Sequence, residues 1–247
     1  MSSGRRVCAA RLLAVAFLMC CICVDDDPVW AADSGQRFIL FGGGDAWRDG
    51  DFIYGGLLYS PGGSSNAGFV FKTFLSGGSY QYWSGGLNSE VVGREAIAEF
   101  LPGWRFKRDH FELQVFAGLD LEEHHLAPDD PSSNLRGGDV GLRAAVDLWY
   151  EPTPQTMLAA NGSISTIITS YSARLAFGWR TLGMFYLGPE IETFACQGYE
   201  QFRAGIHLTA LKTAWLGGTE WSAAAGWARD DDQRESLYVR LNVLTRR

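Results

Sequence analysis

Residues 111–122 read FELQVFAGLDLE and residues 138–150 read GDVGLRAAVDLWY, and the alternation in these two runs decides the fold. In the first run Phe111, Leu113, Val115, Ala117, Leu119 and Leu121 occupy every odd position. Glu112, Gln114, Gly118, Asp120 and Glu122 fall between them, with Phe116 the one large apolar residue out of step. In the second run Val140, Leu142, Ala144, Val146, Leu148 and Tyr150 alternate with Asp139, Gly141, Arg143, Ala145, Asp147 and Trp149. Successive side chains of a strand point to opposite faces, so both runs predict strands with one apolar and one polar face. Each exceeds the usual globular strand of about 5–6 residues. A transmembrane barrel needs such strands, apolar outward and polar inward, and a secreted sandwich is the competing solution.

The pattern repeats on both sides of this hairpin. Strands are expected at 36–44, 51–60, 67–83 and 89–106 before it, and at 156–166, 171–180, 184–195, 200–211, 219–229 and 236–244 after it. Turn clusters separate them, Pro61-Gly62-Gly63-Ser64 and Glu151-Pro152-Thr153-Pro154 among them. Asp45 and Asp49 are assigned to the first connecting loop. The count is about twelve, an even number with both ends on one side, as single-chain outer-membrane barrels require. The prediction is an all-β chain: a single antiparallel up-and-down transmembrane β-barrel over 36–247. Charge at mid-strand on the polar faces disfavours a sandwich, whose inner faces are apolar. Trp104, Tyr150, Trp179 and Phe185 fall near strand ends on the apolar face, where an interfacial girdle belongs. The ending Leu244-Thr245-Arg246-Arg247 departs from the terminal aromatic that such barrels often carry.

Composition agrees. The 247 residues include 30 Gly, 9 Trp, 9 Tyr and 15 Phe, a mixture that weakens helices and suits pleated sheet. The formal charge is −7 with no basic patch, which argues against a nucleic-acid partner. Arg5, Arg6 and Arg11, the apolar run LLAVAFLMCCICV (12–24) and the small residues Val29 and Ala31 form a secretory leader, expected over 1–31. Asp25, Asp26 and Asp27 fit that leader poorly. Its removal leaves Cys196 alone, so no disulfide within the chain is expected.

The polar faces define a set of candidate lumen charges: Lys72, Glu95, Glu99, Arg105, Glu112, Asp120, Asp139, Arg143, Asp147, Arg174, Arg180, Glu190, Glu192, Arg203, His207 and Arg240. They either grip a passing solute or pair with one another to fill the interior. The tip between the two runs, EHHLAPDDPSSNLRG (123–137), holds His124, His125, Asp129, Asp130, Ser132 and Ser133. Neighbouring histidines on a strand point to opposite faces, so His124 and His125 cannot share one metal, and the tip is read as a solvated loop. No G-x-S-x-G or H-E-x-x-H motif occurs, so no catalytic residue, cofactor or metal is assigned and no enzymatic activity is expected. An enzyme acting on lipid or glycan through His207 or His124 is the alternative, a purely structural barrel another.

The blocks GGGDAW (42–47), YGGLLYSPGG (54–63), PGWRFKRDHFELQVFAGLDLEEHHLAPDDP (102–131), LWYEPTPQTMLAA (148–160), YSARLAFGWR (171–180), YLGPE (186–190) and RLNVLTRR (240–247) give the chain a resemblance to the BcsS family, cellulose-biosynthesis proteins of alphaproteobacteria. The blocks keep family order over nearly all of the chain after the leader. The resemblance implies an outer-membrane or envelope accessory beside a cellulose synthase. The implied partners are outer-membrane lipid, cellulose synthase components or nascent glucan. It carries over no catalytic residue. Glucan is neutral and stacks on aromatic faces, which makes Tyr80, Tyr82, Trp83, Trp149, Tyr186 and Tyr199 candidate contacts.

Overall fold

The computed structural model describes residues 35–196, 199–213 and 218–247. The leader expected over 1–31 lies outside the described residues. The described residues form twelve strands: β1 (Phe38–Trp47), β2 (Gly50–Tyr59), β3 (Gly68–Ser84), β4 (Ser89–Arg108), β5 (Phe111–Ala127), β6 (Gly137–Thr153), β7 (Thr156–Ser165), β8 (Tyr171–Thr181), β9 (Phe185–Cys196), β10 (Tyr199–Thr213), β11 (Thr219–Asp230) and β12 (Glu235–Arg246). Each pairs antiparallel with its chain neighbours. β1 and β12 then pair from Ile39↔Arg246 to Trp47↔Tyr238 and close the barrel. Closure rules out the sandwich and leaves no sheet edge along the paired belt.

Two boundaries differ from the expected ones. β1 runs through Gly42-Gly43-Gly44 to Trp47, so Asp45 is a strand residue rather than a loop residue. β5 continues to Ala127, so His124 and His125 sit on a strand and only 128–136 form the tip. In both places the apolar alternation fades before the pairing does. Cross-strand partners hold the backbone: Asp45 faces Phe52 and Arg240, and His124 faces Glu95.

The register assigns every side chain to a face. The outward set includes Leu40, Ile53, Leu75, Phe100, Leu119, Leu142, Leu175, Ile191, Ile206 and Leu241, each at least 42% exposed. Through the middle of the barrel this outer face carries no charge. Outward charges appear toward the end away from the termini, at Glu90, Arg94, Glu123, His125, Arg229 and Glu235. Near the termini an outward aromatic girdle rings the wall. Phe38 stacks on Tyr59, while Phe69 and Trp104, Phe111 and Tyr150, and Phe177 and Trp179 meet edge to face, with ring centroids 4.6–6.0 Å apart. An uncharged band bounded by aromatics is the exterior that lipid requires.

Inside, two apolar clusters occupy the half of the lumen nearest the termini. One joins Ile39, Leu58, Val70, Leu101 and Phe116; the other joins Met157, Ala159, Ala176 and Tyr186. Four strands, β3 to β6, are 17–20 residues long against 10 for β1, β2 and β7. They form a wall that rises beyond the rest of the rim at the end away from the termini.

Candidate functional site in the barrel lumen

The pairing register puts all of the candidate lumen charges on the inward face, and seven of the sixteen join one chain of contacts around the wall. Lys72 lies 3.2 Å from Asp147, which accepts a hydrogen bond from Asn161 Nδ2 at 2.8 Å. Arg174 reaches Asn161 Oδ1 at 3.4 Å and Glu190 at 2.6 Å. Glu190 also accepts from Tyr238 Oη at 2.8 Å and lies 3.8 Å from Arg240. Arg240 pairs with Glu192, which lies 3.5 Å from Arg203, and Arg203 pairs with Asp45. The belt alternates in sign and links β3, β6, β7, β8, β9, β12, β10 and β1. Arg203 is fully buried among the Trp47, Phe194 and Tyr238 rings, with centroids 4.7–5.1 Å from its guanidinium.

The remaining candidates sit beside the belt. Arg143 holds Glu99, Asp120 and Glu122 at 2.8–3.0 Å. Arg105 and Lys107 share Glu112, at 3.1 and 2.8 Å. Arg180 lies over the Tyr186 ring and donates to its hydroxyl at 2.5 Å. His207 has both ring nitrogens engaged, by Thr209 Oγ1 at 2.8 Å and the Phe177 carbonyl at 3.1 Å. Asp139 stands exposed at the rim. On the termini side of the belt a cavity of about 220 Å³ opens between Glu112, Gln114, Asp147, Trp149, Asn161 and Arg174. That is below the roughly 300–1,000 Å³ of ordinary small-molecule pockets.

The aromatic candidates divide. Tyr80, Tyr82, Trp149, Tyr186 and Tyr199 face inward, but Trp83 lies on the outer face, 58% exposed, because it is out of phase with its tyrosine neighbours. Several inward rings lie flat over inward glycines. A Cβ on Gly93 would come within 2.2 Å of the Tyr80 ring, one on Gly78 within 2.5 Å of Phe52, and one on Gly56 within 2.4 Å of Phe41. The glycines and aromatics noted in the composition are therefore partners: the missing side chain makes room for a ring pressed against the wall.

Residues 128–136 of the tip are the exposed loop expected from sequence, except that Asp130 and Leu135 are buried. Asp130 is 2% exposed and accepts hydrogen bonds from the Ser132 amide and hydroxyl and from Tyr82 Oη. The Ser132 hydroxyl, followed by that of Ser84, holds the Asp130 carboxyl down to about 2. His124, also assigned to the tip, is 4% exposed on the inner wall, beside Glu95 and Glu122, whereas His125 is exposed on the outside. Among the described residues, Glu95, Glu122 and His124 are the group whose ligand atoms converge closely enough to hold a metal ion. His124 was missed as an interior residue because charged neighbours mask the period-2 signal at the strand end, and Asp45 because the three glycines before it show no face. The available clue was the even spacing of Glu122 and His124 from Asp120.

Comparison with known proteins fixes the family. The description "Cellulose biosynthesis protein BcsS" matches residues 39–247, the whole barrel but its first residue. The chain belongs to the BcsS family. No curated protein matches it in sequence. Among solved structures, this BcsS-family barrel is similar to the KdgM porin, at 14% identity and a TM-score of 0.43, over 83% of this chain and 97% of that one. It is also similar to a Pseudomonas aeruginosa FadL homologue, at 10% identity and a TM-score of 0.41, over 81% of this chain and 68% of that one. The BcsS match brings a role in cellulose biosynthesis.

Proposed function

We propose that this protein is an outer-membrane accessory of cellulose biosynthesis, acting on the production or export of glucan rather than on its chemical synthesis. The observation that carries this reading is the uncharged outer band on a closed barrel, in a chain whose family serves cellulose biosynthesis. A closed barrel satisfies every strand hydrogen bond in lipid, and its exterior needs nothing but apolar side chains there. The partners that fit are outer-membrane lipid, and synthase components or the nascent glucan. A non-enzymatic role is supported by His207, whose ring nitrogens are both committed to structural hydrogen bonds.

The test separates synthesis from export. A strain lacking the gene is assayed for synthase activity in isolated membranes and for extracellular fibre. Normal synthase activity with lost fibre is the expected result; lost synthase activity, or no change in either, would remove the export role.

A second reading, a barrel that braces the envelope without passing a solute, is favoured by the two apolar clusters and the paired belt inside the lumen. Conductance of the purified protein in planar bilayers distinguishes them. Steady open-channel steps support passage, and a silent barrel supports bracing.

A further inference from the structure

The inner face of the tall wall carries more negative charge than its neighbours neutralise. Glu95, Glu99, Asp120 and Glu122 converge there, and the basic groups in contact with them are Arg143 and His124. Glu95 and His124 are direct cross-strand partners on β4 and β5, and Glu122 precedes His124 by two, so the pleat puts all three on one face. The His124 side chain is 2% exposed, and its Nε2 lies 3.5 Å from Glu122 and 3.8 Å from Glu95. Those separations are longer than the 2.7–3.2 Å of an ordinary N–H···O hydrogen bond, so this buried nitrogen, aimed between two carboxylates, has only a long contact to Glu122 as its hydrogen bond. They come closer to the roughly 3.4 Å between ligand atoms that bonds of about 2.1 Å at tetrahedral angles would give, and all three ligand atoms lie within 4.8 Å of one another. On the other side of the ring, Nδ1 meets Tyr80 Oη at 3.3 Å. Such an outer partner is what orients a metal-bound imidazole.

We propose that Glu95, Glu122 and His124 bind a divalent transition-metal ion of the zinc type on the inner wall near the rim. One nitrogen and two carboxylate ligands suit zinc, and the positive ion offsets the excess charge of the wall. The ion would tie β4 to β5, with Tyr80 on β3 as a positioning residue. The site lies level with the outward charges Arg94, Glu123 and His125, beyond the uncharged band.

The test uses the full barrel refolded in detergent, with no histidine tag, stripped with chelator and titrated with zinc chloride. One zinc per chain is expected by elemental analysis and calorimetry. Glu95→Gln and His124→Gln should each weaken binding about a hundredfold, and Tyr80→Phe by roughly tenfold, within the range known for outer-sphere partners. His125→Ala should change nothing. Heat-modifiable migration on gels shows whether each variant still closes its barrel. Cobalt bound to the unmutated protein should give the visible absorption of a tetrahedral nitrogen–oxygen site, which needs no variant to fold. Absence of stoichiometric zinc, binding that survives both Glu95→Gln and His124→Gln, or a site that prefers calcium or magnesium would overturn the assignment.

Discussion

Arg203 shows how a single residue sets the interior. It is fully buried, pairs with Asp45 and Glu192, and lies among three rings. Removing one partner of a buried pair leaves the other charge without compensation, at a cost of about 3–5 kcal/mol. Arg203→Ala should lower stability by that amount in equilibrium urea unfolding from lipid vesicles, and Asp45→Asn in the same chain should restore part of the loss. Arg203 was legible in the sequence because it breaks an apolar run at the right parity; Asp45 was not, because three glycines before it carry no side chain from which to read a face. The ring-on-glycine pairs are equally invisible to periodicity, since nothing local says which ring covers which glycine. Gly93→Ala should push the Tyr80 ring off the wall and with it the contact to His124, visible as a changed tyrosine fluorescence with the barrel intact.

At the level of the strand, the alternation located all twelve elements, because a lipid-facing side chain and a lumen-facing one differ sharply in chemistry. It failed where strands leave the uncharged band. There both faces of β5 meet water or charge, so Glu123, His124 and His125 read as a loop although pairing with β4 continues to Ala127. The same boundary has an energetic expectation. Ala117→Arg, in the middle of the outward face of β5, should cost roughly 2–4 kcal/mol of folding into vesicles, and Glu123→Arg close to nothing. The tip that follows is clasped by Asp130. Its lowered carboxyl pKa means that the charged form is favoured by folding, so the clasp is intact above about pH 4 and is lost as the pH falls through about 2. Pepsin should spare the tip at pH 4 and cut it at pH 2, and should cut Asp130→Ala at both.

For the molecule as a whole, two designs share one cylinder. The outside is uniform, as a fluid apolar solvent demands, and the inside is specific, with a belt of alternating charge above two apolar clusters. The uniform part was legible in the sequence; the specific part was legible residue by residue, but the partners were not, because contacts such as Lys72–Asp147 and Arg203–Asp45 span strands far apart in the chain. Uncoupling the belt with the pair Arg174→Ala and Glu190→Ala should widen the lumen, and planar-bilayer conductance should rise above that of the unmutated barrel. The unequal strands have a further effect. A level rim looks the same from every side, whereas one raised by β3 to β6 breaks the rotational symmetry of the cylinder about the membrane normal. Anything at that mouth would be blocked on one side and open on the other, so the rim has a compass bearing in the plane of the membrane.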